Sequence, residues 1–176
     1  MSAKTEDRIE ALEVALTNEK REGEFYRKHA QRTKDPLGRK MFQTLADDEA
    51  EHYSRIQELH KKLSSEGKWP ATLPLKVKDT VVKDVLKSVV EGIDTATETD
   101  MDDLEAVKFA IEFEAKGEAF YKKLRQNVED PQERTFYGML ESIEREHRLS
   151  LEETFAYFKD PEGWFQKMEK PHLDGA

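Results

Sequence analysis

Two stretches of this chain repeat each other. Shifting by 95 positions lays residues 11–60 over 106–155 without a gap. The identical pairs include Ala15/Ala110, Glu19/Glu114, Phe25/Phe120, Tyr26/Tyr121, Asp35/Asp130, Pro36/Pro131, Arg39/Arg134, Leu45/Leu140, Glu49/Glu144 and His52/His147. A period this long in only two copies marks a duplicated supersecondary unit rather than a solenoid. The two units are expected to pack about a pseudo-two-fold axis.

Each unit reads as a pair of helices. Ile9, Leu12, Leu16, Glu19, Gly23, Tyr26 and Ala30 follow a 3-4 spacing, as do Phe42, Leu45, Glu49, His52, Ile56, Leu59 and Leu63. Val107, Ile111, Glu114, Glu118 and Tyr121 continue it in a third segment, and Tyr137, Leu140, Glu144, His147 and Leu151 in a fourth. That is the seam spacing of bundle helices. Asp35-Pro36, Asp130-Pro131 and Asp160-Pro161 are helix-start signals, because Asp accepts from the first free N–H groups and Pro lacks one. Thr5 and Asp100 are further candidate starts.

These signals predict helices over roughly 5–33, 36–65, 101–129 and 131–158, each about 40 Å long at 1.5 Å per residue. Short links within each unit make antiparallel hairpins. The stretch 66–100 between them is expected to cross over along the bundle, with a short helix near 77–90, since a structureless loop of that length is unusual. The expected fold is all-α: a four-helix bundle over 1–160 and a tail over 161–176 that packs back through Trp164 and Phe165.

Composition narrows the chemistry. The chain contains no cysteine, which excludes disulfides, thiol nucleophiles and Cys-ligated zinc or iron–sulfur clusters. A net charge of −9 argues against a nucleic-acid partner. No apolar run is long enough for a membrane span and no signal peptide opens the sequence, so a cytoplasmic protein is expected.

Each apolar seam is interrupted near its middle by acid or imidazole. Glu49-x-x-His52 and Glu144-x-x-His147 put a carboxylate and an imidazole one turn apart on one face. The spacing alone is weak, and Glu169-x-x-His172 in the tail is a chance instance. Register and repetition give the two internal copies their weight, because both lie mid-helix, on the seam, at equivalent places. With Glu19 and Glu114 they bring four carboxylates and two imidazoles to the bundle centre. As structural pairs alone these would be costly, since desolvation and like-charge repulsion act together. Two divalent ions would restore neutrality, and a carboxylate-rich set with one imidazole per metal suits iron or manganese.

This arrangement resembles the di-iron carboxylate signature of ferritin-like bundles. Glu19-Lys-Arg-Glu-Gly-Glu-Phe25-Tyr26, Glu114-Ala-Lys-Gly-Glu-Ala-Phe120-Tyr121, Asp48-Glu49-Ala-Glu-His52 and Asp160-Pro-Glu-Gly-Trp164-Phe165 are similar to the rubrerythrin family in particular. The resemblance implies two iron ions, with manganese or a mixed pair as alternatives. Glu49 and Glu144 would bridge them, Glu19 and Glu114 would be terminal ligands, and His52 and His147 would take one each. Rubrerythrins also carry a glutamate three residues after the third-helix ligand that moves on and off an iron. Here that position is Gly117, so Glu22 or Glu118 could take its place. The usual rubredoxin domain needs four cysteines, so electrons are expected from a separate rubredoxin-like protein or flavoprotein.

Other residues have two readings. Tyr26 and Tyr121 are aromatic core residues or hydrogen-bond partners of the ligand carboxylates, and the matched repeat favours the second. Gly23 and Gly117 either open a path for oxidant or allow close helix approach. His29 and His60 lie among charged residues and are expected at the surface, as are Glu51 and Glu146. The resemblance implies reduction of hydrogen peroxide by a cytoplasmic homodimer. Dioxygen is the alternative oxidant, and ferroxidation with storage in a bacterioferritin-type cage, or a non-catalytic metal-binding bundle, are the alternative functions.

Overall fold

The computed structural model describes residues 3–70 and 101–168. Four long helices, α1 (Ala3–Arg32), α2 (Pro36–Glu66), α3 (Met101–Asn127) and α4 (Pro131–Lys159), precede a short α5 (Pro161–Met168). No strand occurs among the described residues. The crossover and the short helix expected near 77–90 lie outside them, as do Asp100 and the Glu169-x-x-His172 segment.

The duplicated residues build the hairpin turns. Asp35 accepts from Gly38 N at 2.9 Å, and Asp130 accepts from Gln132 N at 2.9 Å and Glu133 N at 3.2 Å. Four residues after each Asp, an arginine reaches back over the turn: Arg39 donates to the Thr33 carbonyl at 3.2 Å and Arg134 to the Val128 carbonyl at 2.9 Å. One motif therefore caps the second helix of each hairpin and ties down the end of the first. Asp160 starts α5 in the same way, accepting from Gly163 N at 3.0 Å. Thr5 is not a cap. Helix α1 begins at Ala3, and the Thr5 hydroxyl donates to the Gly67 carbonyl at 3.1 Å, where Gly67 ends α2 with φ 68°. That left-handed conformation favours glycine.

Helix α1 packs along α2 and α3 along α4, while α1 meets α3 and α2 meets α4 across the bundle. The apolar core divides into two clusters. One joins Tyr26, Leu37, Met41, Phe42, Leu45, Val107, Leu151 and Phe158, and the other joins Leu12, Ile56, Leu59, Leu63, Trp69, Tyr121, Phe136, Tyr137 and Leu140. The shift of 95 that relates the hairpins also relates Trp69 to Trp164, and each packs on a different cluster. Trp164 meets Tyr157 edge-on with ring centroids 5.6 Å apart, so α5 folds back on the bundle. Burying a Leu or Phe contributes about 1.5–3 kcal/mol, so these clusters stabilise the bundle on either side of its acidic middle.

Candidate metal centre

The interruptions of the four seams converge. Glu19 on α1, Glu49 and His52 on α2, Glu114 on α3, and Glu144 and His147 on α4 are each at most 1% exposed. The i, i+3 spacing sets each carboxylate beside its imidazole, and the bundle brings the pairs together. His52 Nδ1 lies 3.1 Å from Glu19 Oε2, 3.0 Å from Glu49 Oε2 and 3.9 Å from Glu144 Oε1. His147 Nδ1 lies 3.3 Å from Glu49 Oε1 and 3.4 Å from Glu114 Oε2, without hydrogen-bond geometry to either. The two imidazoles stack with centroids 5.8 Å apart.

Two groups of ligand atoms result, each within 4.8 Å internally: Glu19, Glu49, His52 and Glu144, and Glu49, Glu114, Glu144 and His147. Glu49 and Glu144 belong to both. Buried polar atoms are normally hydrogen-bonded. Here both carboxylate oxygens of Glu144, one each of Glu49 and Glu114, and Nδ1 of His147 have no hydrogen-bond partner. These atoms face one another, and cations between them would satisfy all of them, so the donor set fits two carboxylate- and imidazole-bound metal ions.

The buried acids and imidazoles shift one another's protonation. Burial and the Glu49 carboxylate push Glu19 up to about 7, against the pull of His52. Burial also raises Glu144 well above the ordinary carboxylate range, helped by Glu114 and Glu49. Burial would raise Glu49 too, but His52 and His147 outweigh it and hold Glu49 low. Burial lowers an imidazole pKa, yet Glu49 and Glu19 lift His52 to about 10, and Glu114, Asp48 and Glu49 raise His147 well above its usual value.

The tyrosines act across the pseudo-symmetry. Tyr26 on α1 donates to Glu114 Oε1 on α3, and Tyr121 on α3 donates to Glu19 Oε1 on α1. A carboxylate that uses one oxygen on a phenol keeps the other aimed at the centre. Glu22 is buried among Glu49, Glu114, Glu19 and His147, and burial and these carboxylates raise its pKa well above normal. Glu118 is not brought to the cluster, since its Oε2 lies 2.9 Å from Arg148 Nε. The two glycines also differ. A Cβ on Gly117 would collide with the Glu144 carboxylate, whereas one on Gly23 would sit 3.4 Å from Glu49 Cβ, an ordinary contact. Gly117 therefore permits the close approach of Glu144. Gly23 lines a cavity of about 290 Å³ between α1 and α2 that reaches Glu19 and Glu49.

A family model for rubrerythrin matches residues 10–155. The chain belongs to the rubrerythrin family. Neither a curated protein nor a solved structure matches it. Its described helices, with no strand among them, form an all-α ferritin-like bundle. No described helix is long and apolar enough to cross a membrane.

One surface expectation fails and one contact was missed. His29 is buried, 4.2 Å from the Phe25 ring and 5.5 Å from that of Phe42, and burial lowers its pKa to about 4. Its charged neighbours Lys28 and Arg32 are exposed and push its pKa down further, while Phe25 one turn back and Phe42 across the hairpin pack on the ring. His60 is half-buried, 3.3 Å from the exposed Glu13. Glu51 pairs with Arg55 at 3.8 Å on the outer face of α2, and Glu146 is half-buried. The missed contact is Asp48, whose Oδ2 lies 3.0 Å from His147 Nε2. Its sequence signal was an acid directly before Glu49 that has no counterpart in the second repeat, where Ile143 stands.

Proposed function

We propose that this chain is a di-iron oxidoreductase that reduces hydrogen peroxide, drawing electrons from a separate rubredoxin-like or flavin-bearing donor. The observation that carries this reading is the set of partnerless buried oxygens and imidazole nitrogen, grouped in two overlapping sets that share Glu49 and Glu144. On this reading Glu19 and His52 would hold one metal, Glu114 and His147 would hold the other, and Glu49 and Glu144 would serve both. Two ferrous ions bound there would supply both electrons of H2O2 + 2e− + 2H+ → 2 H2O.

The protein's own part is positioning and access. Tyr121 and Tyr26 orient Glu19 and Glu114 through their hydroxyls, so the ligand oxygens are preset before metal arrives. The cavity beside Gly23 supports a route for a molecule as small as peroxide to Glu19 and Glu49, with Arg27 and Tyr53 in its wall. Glu22, buried with a raised pKa, can hold a proton on its carboxyl beside the cluster.

The test is anaerobic loading with Fe(II), followed by mixing with peroxide or dioxygen in a stopped-flow instrument. Two irons per chain and faster oxidation by peroxide are expected, with turnover only when a donor protein is added. Faster oxidation by dioxygen, with mineral accumulating in a large hollow shell on a sizing column, would support iron storage instead.

A further inference from the structure

The ligand set is duplicated, but its surroundings are not. His147 Nε2 lies 3.0 Å from Asp48 Oδ2, while its Nδ1 makes no hydrogen bond and faces Glu49 and Glu114. A carboxylate on the far nitrogen fixes the ring and its tautomer and makes the inner nitrogen a stronger donor to a metal. The shift of 95 puts Ile143 where Asp48 stands, and Ile143 is an apolar core residue only 5% exposed. Its side chain can accept nothing from His52. The inner nitrogen of His52, moreover, is already within hydrogen-bond distance of Glu19 and Glu49. A metal entering that half must displace those contacts, whereas the His147 nitrogen has none to give up. Glu22 adds to the imbalance: its buried carboxyl lies beside the cluster, and its repeat counterpart Gly117 has no side chain.

We infer that the two metal positions are unequal, that the position held by Glu114 and His147 binds a divalent ion more tightly and fills first, and that Asp48 is the positioning residue responsible. This rests on the dinuclear reading above. It makes the site a sequential one. At limiting metal the protein holds one ion in the half oriented by Asp48, and the His52 half completes the pair only at higher metal concentration.

The experiment is a titration of the metal-free full chain with Mn(II), followed by calorimetry and by electron paramagnetic resonance of free Mn(II). Anomalous scattering from crystals holding one equivalent locates the ion. Wild type should bind in two steps at least tenfold apart, with the first ion between Glu114 and His147. Asp48→Ala should weaken the first step about 10–100-fold and leave the second unchanged, so the two merge. Asp48→Asn keeps an acceptor oxygen without the charge and should recover part of the loss. Asp48 lies on the half-exposed side of α2, and circular dichroism melts check that each variant folds. Equal occupancy of both positions at one equivalent, first filling beside His52, or two steps unmoved by Asp48→Ala would overturn the inference while leaving the dinuclear site standing. No Mn(II) or Fe(II) binding at all would overturn both.

Discussion

The phenol of Tyr121 on α3 donates its hydrogen bond to Glu19 on α1. Its repeat partner Tyr26 returns the same bond from α1 to Glu114 on α3. The two hairpins are therefore stitched together at the bundle centre by a reciprocal pair of phenol–carboxylate contacts, made between helices that pack far less extensively than the two helices within either hairpin. Each tyrosine sits seven residues after its own helix's glutamate, two turns along the seam, which places it level with the glutamate of the opposing antiparallel helix.

Removing either phenol should therefore act in two ways. Tyr121→Phe or Tyr26→Phe leaves a buried carboxylate short of a donor, which costs about 1–3 kcal/mol. The same change frees the carboxylate to rotate and should weaken metal binding, about 10–100-fold by analogy with other outer partners of metal ligands. Chemical denaturation of the metal-free proteins and metal titration measure the two effects separately. Variants as stable as wild type would show that these contacts carry no net stabilisation.

The paired glycines should respond unequally to the same substitution. Gly117→Ala forces the Glu144 carboxylate aside, because the new methyl would occupy the space of its oxygens. Loss of metal binding is expected even though alanine favours a helix by about 1 kcal/mol. Gly23→Ala meets Glu49 Cβ at 3.4 Å, so it should keep both metals. Bulkier Gly23→Leu should fill the cavity and slow reaction with peroxide, while metal content is preserved. Metal analysis alongside oxidation rates separates the two positions, and equal metal loss in both alanine variants would contradict the geometry.

The pH dependence of the metal-free protein has a definite sign. Carboxyls raised above their ordinary 4.5, Glu19 to about 7 and Glu22 and Glu144 well above normal, keep protons in the folded state that the unfolded chain gives up. Their contribution falls as pH rises from about 4.5 through 7. His52, raised from 6.5 to about 10, contributes stability that is full below pH 6.5 and lost as pH rises toward 10. Both run the same way, so metal-free stability should decline from about pH 5 to pH 10. Glu49, held low, opposes this only below its ordinary value, where its stability is lost as pH falls. Saturating metal needs deprotonated ligands and should flatten or reverse the slope. Thermal melts across this range, with and without Mn(II), measure it. A metal-free protein that gains stability toward pH 9 would contradict the burial of these acids.

The helix hairpins and the six converging side chains were legible in the sequence because duplication repeats each signal in register. Asp35-Pro36 and Asp130-Pro131 announce the turns, and the acids that recur at equivalent seam places in both repeats point inward, whereas Glu118, whose repeat counterpart is Gly23, does not. Asp48 was not legible in this way. Its contact with His147 spans 99 positions and two hairpins, and nothing local separates it from the acidic Asp47 beside it. Nor was the choice between Glu22 and Glu118: one residue of offset turns a helical side chain by about 100°, which puts Glu22 inside and Glu118 on Arg148. His29 misled because its neighbours in sequence are charged while its neighbours in space are Phe25 and Phe42.

The acids at the centre should cost stability when no metal is present, and the tyrosines decide how that cost can be relieved. Glu19 and Glu114 occupy seam places that elsewhere hold Leu or Ile, and buried charged groups replaced by apolar ones of similar size often leave a protein as stable or 1–4 kcal/mol more stable. Glu19→Leu with Glu114→Leu alone, however, strips the Tyr121 and Tyr26 hydroxyls of their acceptors, and each orphaned buried hydroxyl costs about 1–3 kcal/mol. The double variant should therefore gain little. Adding Tyr26→Phe and Tyr121→Phe removes the stranded hydroxyls, while Glu49 and Glu144 keep the two histidines as cationic neighbours. This fourfold variant should bind no metal and melt several degrees above the metal-free wild type, at about 2–4 °C per kcal/mol for a chain of this size. Its melting temperature should not respond to Mn(II). If it melts below the metal-free wild type, Glu19 and Glu114 do not destabilise the bundle centre, and their presence there needs no metal to explain it.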